Sequence, residues 1–320
     1  MLVLNLRKVA SFEFGAAPPY SFELTVRKPA GWWLNTPHER FEKGTLWTAT
    51  RFKRKLVGLR LASLGTVAKP RLECTIFSQE KISEVEKEEL PRVLRRTLRT
   101  EEDLKGFYAL ARKDDALREV VEDLCGMRSV SWSELFPALI LALTLQMAPM
   151  KRSNQMMDLL IEKFGDQAHF DGKTVRYWPS PERIANTPVA ELRAKAKLGY
   201  RAASLVAIAQ SLQAGFPTMD ELYAMDSGEA KRKLLSLRGI GDYSADLVLL
   251  GSGFPLDSWS AKIFSVLFHG KAPDDPRKVI SALKEEAEQR WGEWRGYAFV
   301  YVLNDLPAIS KRVGVDLTRY

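Results

Sequence analysis

The chain has 320 residues, of which 46% are hydrophobic and 28% charged, with a formal net charge of +8. This length allows two or three domains, and the composition excludes global disorder. The excess of basic residues favours an acidic partner; the alternative is that these residues are dispersed over a solvated surface. We expect a soluble, cytoplasmic protein without membrane contact, because the sequence has neither a signal-like N-terminus nor a run of about 18 apolar residues.

The first hundred residues have a strand-like pattern. At 20–26 apolar side chains occupy alternate positions, which predicts a half-buried strand. Turn residues separate three further candidate strands, at 45–52, 56–62 and 71–77. We therefore expect an N-terminal antiparallel β domain over residues 1–95. Its basic run at 51–55 is interpreted as a solvated hairpin, with phosphate contact as the alternative.

From about residue 80 the apolar period becomes helical, and Gly or Pro marks most junctions. The fold class expected is α+β, with the β domain followed by an all-α core of about ten helices over residues 96–320. Helices are predicted at 81–99, from 103 to 123, and at 133–146, 150–164, 189–197, 200–213, 219–224, 228–237, 242–250, 258–268, 275–289 and 294–304.

Gly239, Ile240 and Gly241 form a short turn between two of these helices, at 228–237 and 242–250. Such a turn leaves backbone N–H groups bare at a helix N-terminus, with no Cβ to keep a ligand away. It predicts an anion site, for which a nucleic-acid phosphate is a natural occupant. The alternative is an ordinary glycine at a helix C-terminus.

Asp257 opens the next predicted helix. A carboxylate at a helix N-terminus is held in its charged form. A phosphate site followed by a fixed carboxylate suggests DNA chemistry, and a capping role for Asp257 is compatible with a catalytic one.

Residues that could bind a metal are few. Cys74 and Cys125 are the only cysteines, so a four-cysteine cluster is excluded and a reduced, buried thiol is expected at each. His38, His169 and His269 are too scattered to predict a metal site. We expect no metal and no required cofactor.

The string from Leu237 through Gly239-Ile240-Gly241 and Ala245 to Asp257 resembles the signature of the helix–hairpin–helix DNA glycosylase superfamily. That signature is a leucine, a Gly-hydrophobe-Gly hairpin, an alanine and a catalytic aspartate. The order of β and α elements from about residue 20 to 304 is similar to that of the alkylated-base (3-methyladenine) and 8-oxoguanine branches. The resemblance implies two helical subdomains with an active-site cleft between them and the hairpin motif at 228–250. The loop before Asp257 is shorter than in those relatives.

The resemblance implies a reaction type. Asp257 would stabilise the positive charge that develops on the deoxyribose and orient the attacking water. Bifunctional members place a lysine at the position of Tyr243, where its amine forms a Schiff base with the sugar. A tyrosine cannot form one, which implies a monofunctional enzyme. The alternative for Tyr243 is simple packing within the hairpin helix.

An aromatic base pocket is also implied. Residues 290–298 resemble the W-x-x-W-R-x-Y-A helix start of the alkylated-base branch, in which the tryptophan at the position of Trp294 lines the pocket. Tyr243, Trp259 and Trp294 would form an electron-rich cage for a positively charged methylated purine. Trp259 could equally belong to the core.

Further positions imply DNA contacts. Residues 145–148 resemble the loop in which Gln146 precedes a wedge, here Met147, that fills the gap left by a flipped nucleotide. The alternative is a methionine-rich core. Arg152 stands where 8-oxoguanine enzymes hold the opposite base, and Tyr200 and Arg201 stand where they touch the opposite strand. The hairpin could also hold a monovalent cation, Na or K, through backbone carbonyls.

The expected function is a monofunctional DNA glycosylase, acting as a monomer on damaged double-stranded DNA, with alkylated purines of the 3-methyladenine and 7-methylguanine type as substrates. An 8-oxoguanine or deaminated-base (hypoxanthine or uracil) enzyme is the alternative; residues 198–202 favour it and the absent hairpin lysine opposes it. The alternative from another class is a non-catalytic DNA-structure-binding protein that uses the hairpin as a phosphate clamp.

Overall fold

The computed structural model describes residues 3–129, 131–250 and 253–319. The strands are β1 (Val3–Asn5), β2 (Arg7–Gly15), β3 (Arg40–Glu42), β4 (Thr45–Phe52), β5 (Lys55–Ser63), β6 (Arg71–Ser78), β7 (Asp166–Phe170) and β8 (Lys173–Tyr177). The helices are α1 (Phe22–Val26), α2 (Glu84–Leu98), α3 (Lys105–Ala111), α4 (Val120–Asp123), α5 (Leu135–Leu145), α6 (Met150–Phe164), α7 (Pro181–Ala185), α8 (Val189–Ala196), α9 (Arg201–Gln213), α10 (Met219–Ala224), α11 (Ser227–Leu235), α12 (Asp242–Val248), α13 (Ser258–His269), α14 (Pro276–Trp291), α15 (Arg295–Asn304) and α16 (Leu306–Val313).

A five-stranded antiparallel sheet forms the N-terminal part, in the order β2-β6-β5-β4-β3. Leu59 of β5 lies opposite Thr48 on one neighbour and Ile76 on the other. The sheet shares a buried apolar cluster with α2, to which Leu90 and Leu94 contribute. The α+β class is confirmed, and so are the strands predicted at 45–52, 56–62 and 71–77.

The strand predicted at residues 20–26 is wrong, because this segment forms the short helix α1. Ser21 caps that helix, since its Oγ accepts a hydrogen bond from the Leu24 N–H at 3.3 Å. Phe22 and Val26 are both buried. Residues four apart share a face in a helix as well as in a strand, so an alternating pattern this short fits both structures.

A second sheet, β1-β7-β8, was not predicted. Its hairpin lies within the region expected to be all-α, and β1 pairs with β7 in parallel. The turn contains Asp171 and Gly172, both at positive φ. An Asp-Gly pair between two strand-like runs is a strong hairpin signal, and it was available in the sequence.

Helix α5 lies at the centre of the helical part. Ten of its eleven residues are buried, as expected for a helix that is apolar on all sides. Helix α6 has the bounds predicted for it, whereas the helix predicted up to residue 123 is divided into α3 and α4.

The two cysteines lie in different environments. Cys74 is buried, as expected, and burial raises the pKa of its thiol above the ordinary value. Cys125 is exposed, so the expectation of a buried thiol is wrong there. Within the described ranges, no helix combines the length and apolar character needed to cross a membrane.

Candidate active site

The two glycines of the hairpin differ in their surroundings. Gly239 has a φ of +85°, and a Cβ at this position would lie 2.7 Å from the Oγ of Ser204. A side chain at Gly239 would therefore be strained and would clash. Gly241 precedes α12 and caps it without a side-chain hydrogen bond, and a Cβ there would meet open space. Ile240, between them, is buried. At this residue only the backbone of the turn can contact a ligand.

Gln146 joins the end of α5 to the hairpin. Its Nε2 donates to the carbonyl oxygen of Gly239 and to the Oγ of Ser244, both at 2.7 Å. Met147 follows with a φ of +47°, and 84% of its surface is exposed. A large apolar residue held outward in a left-handed conformation differs from a core methionine. The alternative of a core role is wrong for Met147, while Met156 and Met157 are buried.

Arg201, one of the expected DNA contacts, is buried. Its Nε donates to the carbonyl of Leu143 at 3.0 Å, and its Nη2 donates to the carbonyl of Gln146. These carbonyls lie at the C-terminal end of α5, where no helical N–H group satisfies them. Arg201 therefore supports the loop that carries Met147, and its contact with DNA stays a prediction.

Arg152 and Tyr200 lie at the surface around the same loop. The Tyr200 side chain is 62% exposed and its ring lies 4.5 Å from the guanidinium of Arg201. Arg152 is exposed, and its Nη2 donates to the carbonyl of Lys197 at 2.7 Å. The structure thus brings Met147, Arg152 and Tyr200 to one region beside the hairpin.

Asp257 is the half-buried N-cap of α13. Its Oδ1 accepts hydrogen bonds from the Trp259 N–H at 3.1 Å, and from the N–H and Oγ of Ser260, both at 2.8 Å. In the part of the chain that the structure describes, Oδ2 accepts none. Three donors hold the carboxylate in position through one oxygen, and the second oxygen can face a developing positive charge.

Tyr243 lies near this carboxylate. Burial and, after it, the negative charge of Asp257 raise the pKa of the Tyr243 hydroxyl above its ordinary value. The hydroxyl is therefore protonated at neutral pH. The segment before Asp257 is fixed by Phe254, whose ring packs against Phe264 at 4.9 Å and Phe299 at 5.5 Å.

The three aromatic residues predicted to form a cage are not in mutual ring contact in the described structure. Tyr243, Trp259 and Trp294 are each partly buried against the helical core. Trp294 instead packs against Phe107 and Tyr297, with centroids 5.9 Å away in both cases.

The buried residues that hold the hairpin helix were not predicted from the sequence. Asp246 of α12 is buried and pairs with Lys231 at 2.8 Å and with Lys284 at 2.6 Å. These ion pairs attach α12 to α11 and α14. The available signal was Asp246 beside the apolar residues Ala245, Leu247 and Val248, because buried carboxylates need partners.

A small aromatic cavity near the end of α12 was also missed. Its volume is about 20 Å³, and it is lined by Lys28, Trp32, Trp33, Trp132, Leu250, Phe299, Val300, Leu303 and Asn304. The Nε1 of Trp132 is buried without a hydrogen-bond partner among the described residues. Burial lowers the pKa of Lys28 to about 7, and the charge of Glu39 acts in the opposite direction. The described residues contain no cluster of His, Cys, Asp and Glu suited to a metal ion.

Known proteins resemble this chain in sequence and in structure. No family model matches. The DNA-3-methyladenine glycosylase of Bacillus subtilis is 24% identical over 233 residues, which are 69% of this chain and 73% of that protein. The 3-methyladenine DNA-glycosylase from Archaeoglobus fulgidus superposes with a TM-score of 0.74 at 20% identity, over 93% of this chain and 98% of its own. The Clostridium acetobutylicum 8-oxoguanine glycosylase/lyase, in complex with DNA containing cytosine opposite 8-oxoG, gives a TM-score of 0.69 at 16% identity, over 95% and 97%.

The fold similarity extends over nearly the whole chain in both solved structures. The sequence similarity covers more than two thirds of the chain. The chain therefore has the fold of these glycosylases. The resemblance to DNA glycosylases that the Gly239–Gly241 turn indicates is confirmed by the sequence similarity to a protein named DNA-3-methyladenine glycosylase.

Proposed function

We propose that this protein is a monofunctional DNA glycosylase, which flips a damaged base out of duplex DNA and hydrolyses its N-glycosidic bond. The observation that carries the proposal is the half-buried carboxylate of Asp257, beside Tyr243 of the hairpin helix and with Oδ2 uncommitted. The sequence relative named as a glycosylase supports this activity.

The chemistry follows from the position of that carboxylate. When the bond between the base and C1′ breaks, its electrons leave with the base and positive charge develops on the sugar. The carboxylate stabilises that charge and accepts the proton of the water that attacks C1′. The N-cap hydrogen bonds keep the carboxylate of Asp257 correctly oriented throughout.

Hydrolysis without strand cleavage is supported by the residue at the hairpin. Tyr243 carries a neutral phenol, which cannot form an imine with C1′. The nearby Lys231 is held in ion pairs with Asp242 and Asp246, at 3.0 and 2.8 Å. Water is then the nucleophile, and the abasic strand remains intact.

Alkylated purines are the proposed substrates. The partly buried rings of Tyr243, Trp259 and Trp294 are suited to a cationic methylated base, and the Bacillus relative is named for 3-methyladenine. An 8-oxoguanine enzyme is the second candidate. It is favoured by the exposed Tyr200 and Arg152 in the region where such enzymes contact the opposite strand.

One phosphate of the duplex would contact the backbone at Gly241, and the base stack would contact Met147. The protein would act as a monomer. The hairpin also suits a monovalent cation, because the carbonyl oxygens of Leu237 and Gly239 each accept one hydrogen bond and keep a second lone pair. Such a cation would stabilise the turn.

A release assay tests the proposal. The protein is incubated with duplexes that carry 3-methyladenine, 7-methylguanine, 8-oxoguanine, hypoxanthine or uracil, and free base and strand nicks are measured separately. We expect base release from the alkylated duplexes without nicks, and no covalent complex after borohydride treatment. Release of none of these bases would favour the DNA-structure-binding alternative, and a trapped complex would contradict the monofunctional assignment.

A further inference from the structure

Helix α2 and its C-cap carry four arginines. Arg92, Arg95 and Arg96 have the i, i+3, i+4 spacing of a single helix face, and Arg99 is the C-cap residue. All four line a cavity of about 480 Å³, together with Glu101, Glu102, Ser131 and Tyr223. The lining thus contains four guanidinium groups and two carboxylates.

This cavity continues into a larger one. A cavity of about 760 Å³ also includes Arg92 and Arg96, and on its other wall Pro217 and Asp220 at the start of α10. The two cavities therefore form one groove between α2 and α10, which we call the arginine groove.

The arginines of this groove have unused donors. Arg96 pairs with Asp220, but its Nε and Nη2 are buried without a hydrogen-bond partner among the described residues. Arg99 donates from Nη1 to Glu102 at 2.9 Å, and its Nε is likewise unpartnered. Arg92 and Arg95 form no ion pair with any described residue.

A guanidinium presents its donors as a planar fork that matches the oxygens of a phosphate. Arg92 and Arg95 line the groove, and neither is held in an ion pair by the described residues. We propose that the arginine groove is a binding site for a phosphate group, whose oxygen atoms would accept hydrogen bonds from Arg92 and Arg95.

The groove is distinct from the hairpin surface. Leu135 and Phe136, at the N-terminal end of α5, line the larger cavity. Gln146, just beyond the other end of α5, contacts the hairpin. An eleven-residue helix is about 16 Å long, so a phosphate in the groove is not the one expected at Gly241. The ligand is either a free phosphate compound, such as a nucleotide, or the backbone of a further segment of DNA.

Calorimetric titration of the full chain with pyrophosphate tests the proposal. The double variant Arg92→Ala/Arg95→Ala removes the two more accessible arginines, and Arg112→Ala/Arg118→Ala removes the same charge from exposed positions elsewhere. We expect saturable binding to the native protein and to the control, with at least a tenfold rise in Kd for the groove variant. No saturable binding, or equal binding by all three proteins, would overturn the proposal.

The salt dependence of undamaged duplex binding identifies the source of the phosphate. If the groove binds DNA, the groove variant should lower the slope of log K against log salt by about 2, because each lost phosphate contact contributes about 0.9. If it binds a free phosphate compound, the slope should stay the same while pyrophosphate binding is lost. Single-turnover base release, measured at a protein concentration that saturates the duplex, should be unchanged in both cases, so this test is independent of the proposed glycosylase activity.

Discussion

The side-chain amide of Gln146 lies 2.7 Å from the carbonyl oxygen of Gly239. One side chain thereby connects the loop that presents Met147 to the turn expected to hold a DNA phosphate. Arg201 supports the same loop, because its Nη2 donates to the carbonyl of Gln146. The two expected DNA contacts are therefore connected through hydrogen bonds of Gln146.

Replacement of Gln146 by Ala should break this connection. The variant loses hydrogen bonds to Gly239 and Ser244, each with a net contribution of about 1 kcal/mol. We expect base release to fall roughly tenfold with little change in the melting temperature. The exposed Gln213→Ala provides the control, and an unchanged rate in Gln146→Ala would show that the connection is unimportant.

The two hairpin glycines offer a matched pair of substitutions. Gly241→Ala places a methyl group in open space, so the fold should be retained while DNA affinity falls about tenfold for damaged and undamaged duplexes alike. Gly239→Ala forces alanine to positive φ and against Ser204, and should lower the free energy of unfolding by about 2 kcal/mol. Chemical denaturation and duplex titration measure the two effects. Tight binding by Gly241→Ala would refute the phosphate site.

Arg201→Met distinguishes a supporting residue from a DNA contact. The substitution leaves the buried carbonyl of Leu143 and the partly buried carbonyl of Gln146 without their donor, so we expect a loss of about 2–4 kcal/mol in unfolding free energy. The slope of DNA binding against salt should stay the same. If Arg201 contacts a phosphate, the slope should instead fall by about 0.9. The exposed Arg152→Met is the comparison variant.

The hairpin, Asp257 and most helices were predictable because their signals are local: glycines at a turn, a cap before an apolar run, and a 3.6-residue period. The role of Arg201 was not predictable. Its burial depends on contact with the end of α5, more than fifty residues earlier. Contacts at such sequence separation leave no periodic signal, which also explains why the pairing of β1 with β7 was missed.

The buried amine of Lys28 should make stability depend on pH. Burial lowers its folded-state pKa from 10.5 to about 7. Between these values the unfolded chain binds more protons than the folded chain, so stability rises with pH; below about pH 7 the penalty is fully present. Lys28→Met should remove this dependence.

The measurement is the free energy of unfolding at pH 7, 8, 9 and 10. The native protein should gain up to about 1.4 kcal/mol per pH unit relative to Lys28→Met. The exposed Lys8→Met serves as the control. Parallel curves for the native protein and Lys28→Met would show that the amine keeps its ordinary pKa.

In the proposed reaction, the carboxylate of Asp257 stabilises the positive charge on the sugar and accepts the proton of the attacking water. Asparagine is also a good N-cap, so Asp257→Asn should keep helix α13 while removing the charge. Asp275→Asn changes the equivalent N-cap of α14 and serves as the control.

Single-turnover base release from an alkylated duplex, together with binding to an abasic-site duplex, tests this claim most directly. We predict that Asp257→Asn releases base at least about a hundredfold more slowly, while it binds the abasic duplex as tightly as the native protein. Asp275→Asn should be fully active. An Asp257→Asn variant that keeps a tenth or more of the native rate would contradict the account.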